Sequence, residues 1–277
     1  MKERLDMLPE SLTKALAQPL KVAALVSIGQ HPLSRRERRA DQDARAVELA
    51  LSLSPELPRL IHVGSARNES LRAYLGMGLN DVTVLNADPE ADAVPALAGY
   101  LRDQALDHQL DIVLTGVRAE CGEGSGLLPY AVAAQLGWPM VPRIVSVVSI
   151  ADGHADVWQA LPRGQRRALR IPLPFVASVD PAAEPARQSA FGPAQRGNID
   201  SQPCAAVPDQ ARANWQQHPA KPRPKRLAVA KGGTAAERMK AATAKPQGQG
   251  GQVITEGTDR EKAEAILARL LAEGVVR

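Results

Sequence analysis

Aromatic residues make up only 3% of the 277 positions, and cysteine occurs twice. So few rings argue against an RNA- or single-strand-binding surface built on aromatic stacking platforms. Cys121 and Cys204 stand far apart with no CxxC spacing, which gives neither a disulfide framework nor a zinc or iron–sulfur pattern. A reducing, cytoplasmic setting is the expectation. No apolar run approaches the roughly 20 residues that a membrane span needs. The opening MKERLDMLPESLTKALAQPL carries acids and no continuous apolar stretch, so residues 1–20 are read as an N-terminal extension and not as a signal peptide. The histidines His31, His62, His108, His154 and His218 are scattered without ligand spacing, and there is no nucleophile elbow, HExxH or evident acid/base pair. No metal site and no catalytic residue is predicted.

What is present is enough apolar sequence, 44%, to bury one substantial core. The formal charge of +4 is unevenly placed. Eight of the 34 Lys and Arg fall between Lys221 and Lys245, against a single acid, Glu237. The rest of the chain is therefore slightly acidic, and the basic segment reads first as a solvated linker, second as a grip for an acidic partner or nucleic acid.

From Lys21 onward short apolar runs alternate with helical patterns. KVAALVSIG (Lys21 to Gly29) reads as a strand buried on both faces. QDARAVELALSLS follows as a helix with a stripe at Ala46, Val47, Ala50, Leu51 and Leu53. RLIHVGS is the next strand, and NESLRAYLGMG the next helix, with Asn68 as its cap. DVTVLN, DAVPALAGYLRDQAL, LDIVLTG and GLLPYAVAAQLG continue the alternation. Four strand-plus-helix units predict an α/β fold with a doubly wound parallel sheet and right-handed crossovers. RIVSVVSIADG, HADVWQALPRG and RRALRIPLPFVASV then read as an antiparallel meander added to the edge of that sheet. Its basic run RGQRRALR reads first as a hairpin turn with a solvated face and second as an anion site.

Between Asp180 and Gly251 the composition changes, with eight prolines between Pro181 and Pro224 and no apolar periodicity. A linker or wrapping arm is expected. The chain ends on TDREKAEAILARLLAEGVV, an amphipathic helix with Thr258 and Glu261 as a capping box and Gly274 as its stop. Its apolar positions Ala263, Ile266, Leu267, Leu270 and Leu271 need a surface, either a partner chain or the protein's own core. The expected division is an extension over 1–20, an α/β nucleotide-binding domain over 21–198, a basic, Pro-rich linker over 199–251 and a docking helix over 252–277.

In parallel sheets, ligands bind beyond the carboxyl ends of the strands, where strand order reverses. Those ends here carry small residues: Ser27 with Gly29, Gly64 with Ser65, and Thr115 with Gly116. After the strand LDIVLTG comes GEGSG, and then a helix. A helix N-terminus offers free N–H groups and the positive end of a dipole, so this run is a candidate phosphate cradle. It matches neither the dinucleotide GxGxxG nor the Walker spacing. The alternative is a tight turn that needs glycine for positive φ.

Taken in order, DARAVELALSL (Asp43 to Leu53), ESLRAYLGMGLNDVTVL (Glu69 to Leu85) and LDIVLTG leading through a glycine/acid loop to AAQLGWP (Ala133 to Pro139) resemble the β subunits of electron transfer flavoproteins. Their counterparts in that family read DExAVEEALRL, ETLRxALAMGADRAxxV and a strand, nucleotide loop and LGWP. The resemblance covers about Lys21 to Asn198. It implies a heterodimer with an α subunit that holds most of an FAD, an AMP within this chain's own sheet, and electron transfer from a dehydrogenase to a membrane quinone oxidoreductase. The flavin would carry the redox chemistry and the protein would position it. The implied cofactor-binding residues are Val26, Ser27, Gly64, Ser65, Thr115, Gly116, Arg118, Glu123, Gly124, Ser125, Gly126, Leu127 and Leu128. A dehydrogenase-recognition loop, LRLNEPRY in the family, aligns with DPAAEPARQ (Asp180 to Gln188), so Ala182, Ala183, Glu184, Pro185 and Arg187 are the partner-binding candidates. The tail helix also resembles one that ends related flavoprotein subunits, where it would dock on the α subunit.

The chain departs from the family pattern in three places. Gly126, Leu127, Leu128 and Pro129 stand where the family has Asn-Gln-Thr-Gly, so AMP would depend on backbone N–H groups and Ser125. Ala40, Asp41 and Gln42 replace an Asn-Pro-Phe turn, and Pro32 replaces a flavin-facing tyrosine. Ala182 replaces the leucine anchor of the recognition loop, which implies a different dehydrogenase. Two other functions fit the same sheet: an adenine-nucleotide enzyme of the α-hydrolase type, which needs a phosphate motif with metal-binding acids, and a nucleotide-sensing scaffold that uses the basic tail.

Overall fold

The computed structural model describes residues 20–54, 58–88, 91–108, 110–122, 124–204, 207–216, 218–219, 234–236, 239 and 253–272. The chain divides into two compact units, one reaching to Asn214 and one from Trp215 to the end.

The first unit is built on a nine-stranded sheet. Its central strands are β1 (Val22–Leu25), β4 (Arg59–Gly64), β5 (Asp81–Asn86), β7 (Ile112–Gly116) and β11 (Phe175–Val179). Every residue of β1, β7 and β11 is buried, as expected of strands covered on both faces. The long strand β8 (Met140–Ala151) pairs in parallel with β11, and β12 (Asn198–Pro203) in parallel with β5. Beyond β8, β9 (His154–Ala160) and β10 (Arg166–Pro172) run antiparallel. The order is β10-β9-β8-β11-β7-β1-β4-β5-β12. The chain thus moves from β1 to β4 and β5 in one direction, then returns to lay β7 on the other side of β1. The point of reversal is the crevice between β1 and β7.

Side-chain alternation sends the two faces of this sheet into two cores. Val22, Ala24, Leu60, Ile112, Leu114, Phe175 and Ala177 pack under α1 (Asp41–Leu53) and α2 (Arg72–Leu75). Ala23, Leu25, Ile61, Val113 and Val176 pack under α3 (Ala93–His108) and α4 (Leu128–Leu136). The predicted stripe of α1 is buried throughout, at Ala46, Val47, Ala50, Leu51 and Leu53. Helix α4 ends at Gly137, whose φ of 70° allows Trp138 N–H to reach back to the Ala133 carbonyl. Charge marks both sheet edges: Arg166, Arg167 and Arg170 lie on β10, and Asp200 on β12, which ends at Pro203.

Several elements differ from the sequence reading. The run KVAALVSIG is not one strand: β1 stops at Leu25, and β2 (Ile28–Gln30) turns into a hairpin with β3 (Glu37–Arg39). The polar side chains that bind Val26 and Ser27, described below, end the strand there. The helix expected over NESLRAYLGMG is short, a 3-10 turn over Glu69–Leu71 followed by α2, although Asn68 does cap it by accepting from Ser70 N–H. The segment RRALRIPLPFVASV is two strands split at Leu173-Pro174, and its second half is central in the sheet. The stretch after Asp180 is not structureless: it forms α5 (Phe191–Arg196), the edge strand β12, β13 (Val207–Pro208) paired with β6 (Ala91–Asp92), and α6 (Gln210–Ala213). Here short polar elements are carried by pairing to neighbours, which apolar periodicity does not reveal.

In the second unit, α7 (Asp259–Ala272) starts on the expected capping box. Thr258 N–H donates to Glu261 Oε2 at 2.7 Å, and Glu261 N–H returns to Thr258 Oγ1 at 3.4 Å. Ile266, Leu267 and Leu271 are exposed and no described residue of the helix is buried, while its expected stop, Gly274, lies outside the described residues. No described helix is long and apolar enough to cross a membrane.

Leu60, on β4, is fully buried in the first core, so Leu60→Ala is expected to lower stability by roughly 2–5 kcal/mol in urea unfolding. Val148→Ala, on the outward face of β8, should change it by less than about 0.5 kcal/mol.

Candidate functional site

The polar groups of the first unit converge where β1 leaves the sheet. Three side chains from three elements bind the dipeptide Val26-Ser27. His62, on β4, places Nδ1 2.9 Å from the Val26 carbonyl. Asp43, on α1, accepts through Oδ2 from Ser27 N–H at 2.8 Å and from the Ser27 hydroxyl. Tyr74, on α2, donates its hydroxyl to the Ser27 carbonyl at 2.8 Å and accepts from Ala40 N–H at 3.0 Å. The other oxygen of Asp43 accepts from Gly116 N–H at 3.1 Å, so this one carboxylate spans the crevice between the ends of β1 and β7. Gly116 has to be glycine for that approach, since a Cβ there would collide with the Asp43 carboxylate.

Burial acts on all three side chains. It raises the Asp43 carboxyl from 3.8 to about 6, against the hydrogen bonds from Ser27 and Gly116, which favour the charged form. It pushes the His62 imidazole down, so the ring is neutral near pH 7 and Nδ1–H is the donor to Val26. It raises the Tyr74 hydroxyl, to which the nearby Asp43 charge adds.

After β7 the loop through Val117 to Leu127 folds over the hairpin. Glu120 accepts from Asp41 N–H at 2.9 Å through one oxygen, and from Gln30 N–H at 3.2 Å and Arg38 Nη2 at 2.9 Å through the other. Asp41 opens α1, whose N-cap residue, Ala40, gives no side-chain cap. Glu120 therefore caps this helix from a distance of 79 residues in sequence. At the start of α1, Arg38 Nε and Gln42 Oε1 are buried without a partner among the described residues.

The structure brings most of the predicted cofactor residues to one end of the sheet, but many of their polar groups are already engaged. Val26 is buried and its carbonyl is held by His62. Ser27 and Gly116 give their N–H groups to Asp43. Thr115 is buried and its hydroxyl donates to the Gly116 carbonyl at 2.7 Å. Gly64 has φ 146°, and Ser65 Oγ accepts from Arg67 N–H at 3.3 Å. Arg118, Gly124, Ser125 and Leu127 are exposed, Leu128 packs against the second core, and Glu123 lies outside the described residues. Ser125 Oγ accepts from Leu127 N–H at 3.1 Å, and Gly126, at φ 77°, leaves no room for a Cβ beside the Val117 carbonyl. The glycine requirement of the turn is thus real at Gly126.

The five partner-binding candidates share one loop, which is strapped to α1. Arg45 Nη1 donates to the Ala183 carbonyl at 2.6 Å, and Arg187 meets Glu48 with contacts of 2.7 to 3.0 Å. Burial works to raise the Glu48 carboxyl, but the Arg187 bonds outweigh it and hold the group low. Ala182, Glu184 and Pro185 are exposed, whereas Ala183 is turned into the first core, out of reach of a partner.

Sequence reasoning did not assign roles to Asp43, His62, Tyr74 or Arg38, and it offered Glu120, with Glu123, only as an acceptor for ribose hydroxyls, whereas the structure engages Glu120 with Gln30, Arg38 and Asp41. The signal for Asp43 was an acid in the otherwise small and apolar start of a buried helix face; for Glu120 there was only its place in the loop. Among the described residues no cluster of three or more His, Cys, Asp or Glu is placed to hold a metal ion.

The profile of the electron transfer flavoprotein domain matches residues 36–206. The electron transfer flavoprotein subunit beta of Chromohalobacter salexigens is 51% identical over 274 residues, 98% of this chain and 100% of that protein.

Two outcomes follow from the clamp. Because its folded-state carboxyl is raised, Asp43 stabilises the fold most when protonated, and that contribution is lost as the pH rises from about 4 through about 6. Asp43→Asn should remove this slope, so the stability of the variant relative to the native chain should rise by on the order of 3 kcal/mol over that window, read by urea unfolding at a series of pH values. Tyr74→Phe leaves the Ala40 N–H and the Ser27 carbonyl unpaired and should cost about 1–3 kcal/mol at any pH below the tyrosine's own titration.

Proposed function

The chain belongs to the electron transfer flavoprotein family, among its β subunits, and on that premise we propose that it pairs with an FAD-holding α subunit to carry electrons from a dehydrogenase to a quinone oxidoreductase. The observation that carries this reading is the full-length match to a β subunit, with the carboxyl ends of β1 and β7 locked into a fixed scaffold. FAD supplies the redox chemistry when bound; this chain's part is to cover and orient it. No proton has to be moved by a protein group for that task, and Asp43, His62 and Tyr74 spend their hydrogen bonds on backbone atoms and Ser27.

The surface offered to the α subunit is apolar where the connections leave the carboxyl ends of the strands. Leu33, at the tip of the β2–β3 hairpin, is 88% exposed, and Leu127 and Tyr130, at the start of α4, are 61% and 45% exposed. Exposed large apolar groups around a paired polar frame suit burial against another subunit. The loop Pro181 to Gln188 is the proposed contact for the dehydrogenase, through Ala182, Glu184 and Pro185, with Arg187 and Ala183 serving as its anchors to α1. A cytoplasmic location belongs to the same proposal.

AMP fits this chain poorly. The backbone donors nearest the crevice are taken by Asp43 and Glu120, Leu127 N–H is taken by Ser125, and Pro129, early in α4, has no N–H to give.

Co-expression with an electron transfer flavoprotein α subunit should give a yellow complex with a flavin absorption spectrum, whereas this chain alone should be nearly colourless. A colourless complex would sink the proposal.

A further inference from the structure

Glu120 sits where a bound anion would sit. Its carboxylate meets the first N–H of α1, the Gln30 N–H and the Arg38 guanidinium, which is the donor set expected of a phosphate seat at a helix N-terminus. The seat is also shaped for it. A Cβ on Gly29 would lie 2.7 Å from Glu120 Oε2 and 2.7 Å from Ala40 Cα, so the missing side chain of Gly29 is what lets the carboxylate in. Helix α1 is 13 residues long and has no side-chain cap of its own. Asp43 stands two residues further into the same first turn and consumes the two strand-end N–H groups that flank the crevice. A phosphate brought here would meet two carboxylates and engaged backbone donors; of the orphaned atoms nearby, Gln42 Oε1 accepts only and Arg38 Nε is a single donor.

We propose that Glu120 is a built-in anion that fills the phosphate seat at the start of α1, so that this subunit holds its nucleotide loop closed without a nucleotide. The inference deepens the β-subunit reading and rests on it only for the identity of the excluded ligand. The loop then has a structural task, to cap α1 and fix the β2–β3 hairpin, that a bound adenine nucleotide would otherwise perform. Gly126 serves the turn of this loop, and Gly29, on β2, serves the approach of Glu120.

The test uses the full-length chain. Nucleotides released by denaturing the native protein are separated and quantified, and AMP and inorganic phosphate are each titrated by calorimetry and by thermal shift. The native chain should release no AMP and show no melting shift with either probe at millimolar concentration. Glu120→Ala should melt lower in phosphate-free buffer, recover with phosphate, and bind AMP roughly tenfold or more tightly than the native chain, the scale of one charge-assisted hydrogen bond. Glu120→Gln, which keeps the shape and loses the charge, should fold like the native chain and respond between the two. Stoichiometric AMP in the native protein would overturn the proposal. So would variants whose response to both probes equals that of the native chain. None of these readings involves the flavin, so failure to form a yellow complex and failure of the built-in anion are separate results.

Discussion

One buried carboxylate ties the two strands that flank the crevice. Asp43 takes the Ser27 N–H and hydroxyl with one oxygen and the Gly116 N–H with the other. A charge taken out of water in this way is costly; three donors offset part of that cost, and burial still raises the carboxyl to about 6. Removing the acceptor would orphan donors at Ser27, just past β1, and at Gly116, the end of β7, so the separation of the two strand ends depends on it. Tyr74, from α2, takes the Ser27 carbonyl and His62, from β4, the Val26 carbonyl, so both main-chain polar groups of Ser27 and the carbonyl before them are paired.

That arrangement explains the local sequence. Gly116 is small because Asp43 needs the space, and Gly29 is small because Glu120 does. Val26 N–H makes the last bond to β4, at the Ile61 carbonyl, and beyond it the Val26 carbonyl and both main-chain groups of Ser27 bond to side chains, which frees the chain to turn into the hairpin. An electron carrier gains from such rigidity, since the positioning of a cofactor is only as good as the second layer of contacts that holds the first.

Helix α1 joins this end of the sheet to the loop after β11. Its first turn carries Asp43 and receives Glu120, while its flank carries Arg45 and Glu48, which hold the Ala183 carbonyl and Arg187. A single element therefore positions the proposed cofactor-facing surface and the proposed dehydrogenase-facing loop. Arg39, just before the helix, adds a bond to the Arg187 carbonyl at 3.1 Å.

The sequence alone determined the layered α/β architecture, the parallel strands β1, β4, β5 and β7, the stripe of α1, the presence of α4 and the capping box of α7. These are local: each depends on apolar spacing or on groups within a few residues of one another. It also carried the family, because the motifs of that family are contiguous. Only the tertiary structure decided the rest. The central place of β11 and the edge strand β12 depend on pairing between residues far apart in the chain. The engagement of Glu120 with Gln30, Arg38 and Asp41, and of Asp43 with Gly116, spans 73 to 90 residues. A carboxylate in a glycine loop looks the same in sequence whether it faces water or caps a helix; only the fold supplies the N–H groups that tell the two apart.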